Sequence, residues 1–309
     1  MKRAIPLALC LLAGCAQAPA ASRGGGVGPH HIVSTNPCAD AILLRLVPAQ
    51  RIAAISRYSQ DSAATSVPLE VARRFRSTAG TAEEVIALEP DLVLTSSFTP
   101  PATRNAYARA GLKTLLLDSP TSIAASEAQV MQVADAVGVP DKGRALVAEI
   151  ERAAQSTLPR SRPGPSWESG SNYAQHLSNN RSVTGPRPAP GKRDREPGAL
   201  LFLSGNLANG SGTLLDELMA RTGFRNAAAD YGLTFTGNVP VETIAAHPPR
   251  VILSPETPSR SAALRRRVLA AEGARVTEAI FPHQLANCGG PTIIPALARL
   301  AAIRRMVRP

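Results

Sequence analysis

Aromatic side chains are scarce: one Trp, four Tyr and six Phe make up only 4% of the 309 residues. Any core must be packed from Ala, Leu, Val and Ile, and the 44% hydrophobic fraction suffices for that. Four cysteines are present, and Cys10 and Cys15 fall in the first fifteen positions. Only Cys38 and Cys288 remain for a folded body, a separation unlike any zinc-finger spacing. Beyond the N-terminal stretch no run approaches the roughly 18 apolar residues of a membrane span. Acidic residues are outnumbered, 23 against 34 Lys and Arg, giving a net charge of +11. That balance suits anionic ligands, membrane surfaces or nucleic acid. The Arg residues are scattered rather than clustered with aromatics, so nucleic acid is set aside as a partner. There is no Gly-x-Ser-x-Gly nucleophile turn and no phosphate loop ending in Gly-Lys-Ser/Thr.

The first residues bear on the compartment. Met1, Lys2 and Arg3 precede the short apolar run Ala4 to Ala13, which is the pattern of an export leader. Leu12-Ala13-Gly14-Cys15 resembles a lipobox, with Cys15 as the acylated residue. Ordinary cleavage after Ala18 or Ala20 is the rival reading, and a buried N-terminal helix is the bland one. The expected location is the periplasm, anchored through Cys15 or soluble after cleavage. Residues 16–29, with Gly24-Gly25-Gly26, read as a flexible tether.

The body alternates strand and helix patterns. Strands are expected at His31 to Ser34, Arg51 to Ser56, Asp91 to Thr95 and Lys113 to Leu117. Thr121 to Val137 places Ile123, Val130, Val133 and Val137 on one helical face, ended by Gly138 and Pro140. A second helix follows to about Thr157, with Asp141 as its expected cap. Ser156 to Pro197 has no Ile, Phe or Met and cannot bury enough apolar surface to offset its ordering entropy. It contains Trp167, the only tryptophan. Alternation then resumes with strands at Ala199 to Ser204, Arg250 to Ser254 and Val276 to Phe281, and helices at Leu214 to Thr222 and Pro295 to Val307. Such alternation predicts an α/β fold with mostly parallel sheets covered on both faces.

One layout occurs twice. Glu83 opens a short helical run, Pro90 follows seven residues later, and a strand comes at once. Glu242 and Pro249 repeat it, 242 − 83 = 159 residues further on. Favourable charge at a helix N-terminus explains either Glu alone. Two copies at matching offsets predict two similar lobes, each with a Glu in an equivalent place.

With this echo, several further pieces form an ordered set. They are Ile32 to Pro37, Ala82 to Leu94, Gly111-Leu112-Lys113, Ser122-Ile123, Ser211 to Leu218, Gly223 to Asn226 and Gly289-Gly290-Pro291. By their order and spacing the chain resembles the periplasmic binding proteins for cobalamin and ferric siderophores, the type with a rigid helical backbone. The resemblance implies two Rossmann-like lobes joined by an α-helix, and no catalysis. It implies a monomeric substrate-binding component of an ABC importer with no built-in cofactor. Such a component captures a metal chelate (ferric siderophore, cobalamin or haem-like) and delivers it to the inner-membrane permease. Glu83 and Glu242 then become the permease-docking residues, with Glu84 as the near alternative on the first lobe. The expected division is leader 1–15, tether 16–29, first lobe 30–138, linking helix 139–158, insert 159–197 and second lobe 198–309. A two-lobed metal-handling enzyme (a chelatase or nitrogenase-like subunit) and an envelope lipoprotein scaffold without ligand are the rival classes.

In open α/β sheets ligands gather beyond the carboxyl ends of the strands. The candidate ligand contacts are therefore Cys38, Arg57, Tyr58, Ser97 and Phe98 on the first lobe, and Asn206, Phe235 and Cys288 on the second. Arg57 suits carboxylates or phenolates of a chelate, and Tyr58, Phe98 and Phe235 suit a ring face. Cys38 and Cys288 have three open readings: a contact to ligand or soft metal, a disulfide, or two unrelated buried thiols. The residues name no metal.

Overall fold

The computed structural model describes residues 28–157, 196–255 and 259–307. The leader, Cys15, the tether through residue 27, Trp167 and the insert through residue 195 lie outside the described residues.

The first lobe is a five-stranded sheet in the order β3-β2-β1-β4-β5, parallel throughout. Its strands are β1 (Ile32–Ser34), β2 (Ile52–Ser56), β3 (Ser77–Thr78), β4 (Leu92–Ser96) and β5 (Thr114–Leu117). Helices α1 (Pro37–Leu46), α2 (Leu69–Ala72), α3 (Ala82–Ile86) and α4 (Pro101–Arg109) make the crossovers. Local chemistry starts them. The Asn36 side chain accepts the Cys38 N–H at 2.9 Å and Pro37 occupies the first turn of α1. Helix α5 (Ile123–Ala136) begins where Ser122 Oγ accepts the Ala125 N–H. It stops at Gly138, whose φ of +74° suits a residue without Cβ.

Helix α6 (Pro140–Ser156) follows immediately. The expected cap does not form: Val139 holds the N-cap position without a side-chain bond, and Asp141 pairs with Arg144 instead. Proline at the first helical position needs no N–H partner, which moves the start one residue before Asp141. α6 packs on α5 at one end of the interface through Gly143, where a Cβ would overlap that of Ala134.

The second lobe has six strands: β6 (Gly198–Ser204), β7 (Leu207–Ala208), β8 (Arg225–Asn226), β9 (Gly237–Asn238), β10 (Val251–Ser254) and β11 (Thr277–Ile280). Their path is β11-β10-β6-β7-β9, with β8 also on β6. β6, β8, β10 and β11 are parallel, whereas β7 runs antiparallel to both its neighbours, β6 and β9. Gly205, at φ +52°, makes the tight turn that folds β7 back on β6. Helices α7 (Leu214–Arg221), α8 (Val241–Ala246), α9 (Arg260–Ala271) and α10 (Ile293–Met306) complete the lobe.

Strand alternation sorts the core. Ile32, Leu92 and Leu94 of the first lobe join one apolar cluster with Ala199, Leu201, Val251 and Leu253 of the second. Their neighbours Val33 and Val93 face an outer cluster with Val85 and Tyr107. Leu200, Phe202 and Ile252 face another with Ile244 and Leu269. The inner faces of both sheets thus share one core, bridged by α1, α5, α6, α7 and α10. Among the described residues no helix is long and apolar enough to cross a membrane.

Candidate functional site

The carboxyl ends of the parallel strands border a cavity of about 600 Å³ between the lobes. The first lobe contributes the start of α1 and the segments after β2, β4 and β5; the second contributes the start of α7, Phe235 and the segment before α10. Of the candidates read from the sequence, Cys38, Tyr58, Phe98, Phe235 and Cys288 line this space. Tyr58, Phe98 and Phe235 are 46%, 81% and 62% exposed, so three of the chain's few aromatics stand unburied at one cavity. Apolar area left open to solvent in this way is the usual mark of a surface kept for a partner or ligand.

Arg57, Ser97 and Asn206 do not line it. The Arg57 guanidinium folds back over the adjacent Tyr58 ring, 5.1 Å from its centroid, and donates to Tyr58 Oη at 3.3 Å. Ser97 is exposed in the turn after β4, where its neighbour Ser96 takes the cavity position. Asn206 sits at the β6–β7 turn, with its carbonyl accepting the Val239 N–H at 3.0 Å. A strand end that turns into an antiparallel hairpin carries its tip away from the parallel-strand crevice.

Asn209 and Thr213 occupy the place expected of Asn206. Asn209 is buried and its Oδ1 accepts the Thr213 hydroxyl at 2.9 Å, while Asn226 Nδ2 donates to the Gly210 carbonyl at 3.1 Å. This knot supports the Phe235 segment, because a Cβ on Gly210 would overlap the Phe235 backbone. The available signal was Thr213 as the cap of α7, accepting the Asp216 N–H at 3.2 Å.

Cys38 and Cys288 are joined as a disulfide, with Cα atoms 5.2 Å apart. The thiolate-ligand and free-thiol readings therefore do not apply to this state. The bridge lies in the cavity lining. It fastens the segment before α10 to α1, where Gly289 and Gly290 already lie against Ser126 of α5 and Ile42 of α1. The described residues contain no cluster of three His, Cys, Asp or Glu able to hold a metal ion. Among the described residues the cavity lining has a single charged side chain, Asp118.

Glu83 and Glu242 are both exposed, each in the first turn of its short helix. Glu84 is committed locally: its carboxylate accepts the Thr78 hydroxyl and the Ala79 N–H, and these bonds hold it below the usual carboxylate range.

Residues 32–159, from β1 to just past α6, match the family model described as periplasmic binding protein. That match spans the first lobe and the linking helix. Over both lobes the chain has the two-lobed periplasmic-binding-protein fold, of the type named class III. It is similar to the haem-binding protein HutB of Vibrio cholerae, at 16% identity and a TM-score of 0.65, covering 90% of this chain and 99% of that one. It is similar to the haem-binding protein RhuT of Roseiflexus sp. RS-1, at 20% identity and 0.62, covering 90% and 100%. The vitamin B12-binding protein BtuF of Vibrio cholerae gives 16% and 0.60, covering 91% and 98%. No curated protein sequence matches the chain. The periplasmic-binding-protein resemblance read from the sequence is shown, and a mostly parallel two-sheet architecture with it.

Proposed function

We propose that this chain is the extracytoplasmic substrate-binding component of an ABC importer. In this reading it captures a metal chelate between its lobes and delivers it to a membrane permease. The observation that carries the reading is the cavity of about 600 Å³ bordered by Tyr58, Phe98 and Phe235, because flat macrocycles are held by aromatic faces. The solved relatives named above bind haem or vitamin B12, which supports a chelate of that kind. Among the described residues Asp118 is the one charge in the lining, and no cationic side chain accompanies it. That favours a chelate with an amide or hydroxyl edge over one with carboxylates or catecholates at its rim. Binding without turnover is the activity proposed. The exposed Glu83 and Glu242, one per lobe, fit docking by charge complementarity to basic residues of a permease.

A thermal-shift panel of cyanocobalamin, haemin and ferric siderophores tests the ligand. A chelate at 100 times its Kd stabilises the folded state by about 2.7 kcal/mol. The expected result is a shift with an amide-edged chelate, reduced in Phe98→Ala and Phe235→Ala. No shift with any member of the panel would overturn the reading. For docking, the double variant Glu83→Arg and Glu242→Arg is expected to abolish uptake with chelate affinity unchanged.

A further inference from the structure

Helix α5 of the first lobe has no acidic residue in its first turn. A helix start carries free N–H groups and partial positive charge that normally attract a local carboxylate. Here the carboxylate comes from the other lobe. Glu217 of α7 accepts the Ile123 N–H at 2.8 Å, and its second oxygen accepts from Arg221 at 3.0 Å. Thr121, two residues before Ile123, and Leu214, three before Glu217, both line the cavity. The bond therefore joins the two lobes next to the cavity lining.

Glu217 also sits in a crowd. Glu127 lies one turn along α5 from Ile123, and Glu151 projects from α6. Burial, and then the carboxylates of Glu151 and Glu217, push Glu127 up to about 7, with Arg221 acting in the opposite sense. Arg221 thus bonds Glu217 and also acts on Glu127. On neighbouring elements, Arg45 of α1 pairs with Glu149 of α6, and Arg304 of α10 donates to the carbonyls of Gly223 and Val307.

We propose that Glu217 is a positioning residue that latches the two lobes at the cavity wall, and that Glu127 tunes the latch by taking up or releasing a proton. Protonated Glu127 leaves Glu217 free to hold Ile123 and Arg221. Ionised Glu127 repels Glu217 and competes for Arg221, so the wall loosens as pH rises through the neutral range. The consequence for ligand retention rests on the function proposed above; the latch itself does not.

The direct readout is hydrogen exchange of the Ile123 amide by NMR in the full chain, corrected for intrinsic rates. Protection is expected to fall about tenfold between pH 6 and pH 8, the size of one capping bond. Glu127→Gln should hold the pH 6 level at both values, and Glu217→Ala should lose protection at both. Dissociation of the chelate from the panel above should accelerate with pH in the wild type and not in Glu127→Gln. Unchanged Ile123 protection in Glu217→Ala, or an equal pH response in Glu127→Gln and wild type, overturns the latch. Glu217→Gln keeps an acceptor and separates loss of the bond from misfolding, since it should retain part of the protection. If no chelate binds, the proposed function fails while the amide readout still decides the latch.

Discussion

Asp40 lies in the first turn of α1, fully buried against the ends of β1 and β2. Its Oδ2 accepts the Ser56 N–H at 2.9 Å and the Ser59 hydroxyl at 2.6 Å, while Oδ1 has no partner. Burial pushes the carboxyl up to about 7 from 3.8, and the nearby Ser34 hydroxyl together with the bonds from Ser59 and Ser56 opposes that shift only in part. The native state therefore holds the proton more tightly than the unfolded chain. Stability from this group is full below about pH 4, is lost as pH rises toward 7, and is flat above it. Its size is of the order of 4 kcal/mol. Urea unfolding from pH 4 to 8 is expected to show that decline in the wild type and a smaller one in Asp40→Asn. Equal slopes would refute the assignment. Nothing in the sequence set Asp40 apart, because its burial comes from strands reached only through the fold. Tyr58, Phe98 and Phe235 were legible as cavity-lining positions, since they fall in loops at the strand ends where the two lobes face each other. Arg57 was not, because a guanidinium beside an aromatic in one turn satisfies itself locally.

Among the elements, the α5–α6 pair departs most from local propensity. Gly143 lies inside α6, where alanine would ordinarily gain about 1 kcal/mol of helix stability. Here a Cβ would overlap that of Ala134, itself fully buried, and touch Met131. Gly143→Ala is therefore expected to destabilise the chain by roughly 1–3 kcal/mol, as overpacked cores do. Chemical denaturation checks the sign, and a stabilised variant would show that the two helices can separate at no cost. Both helices were legible from apolar spacing and from Gly138 and Pro140. The cap at Asp141 was misplaced because the rule for side-chain caps competes with the preference of proline for the first helical position. The two-residue strands β3, β7, β8 and β9 carry too few residues for any alternation to show.

For the whole molecule, the Cys38–Cys288 bridge closes a loop with a sequence separation of 250 residues. In the entropic account this constrains the unfolded chain by about 5 kcal/mol. Cys38→Ser combined with Cys288→Ser is expected to lose several kcal/mol in guanidinium unfolding, and reduction of the wild type should match it. Thiol titration of the denatured, unreduced protein should find neither of these cysteines free. The sequence by itself determined the α/β class, the twofold Glu-to-Pro layout and the resemblance now shown for the first lobe and for the fold of both. These follow from periods and spacings of a few residues, set by helix and strand geometry. Only the tertiary structure decided that the two cysteines bond, that Asn209 rather than Asn206 meets the cavity, and that Glu217 caps a helix of the opposite lobe. Each joins positions far apart in the chain, and such a contact depends on how packed layers place surfaces, which no local pattern encodes.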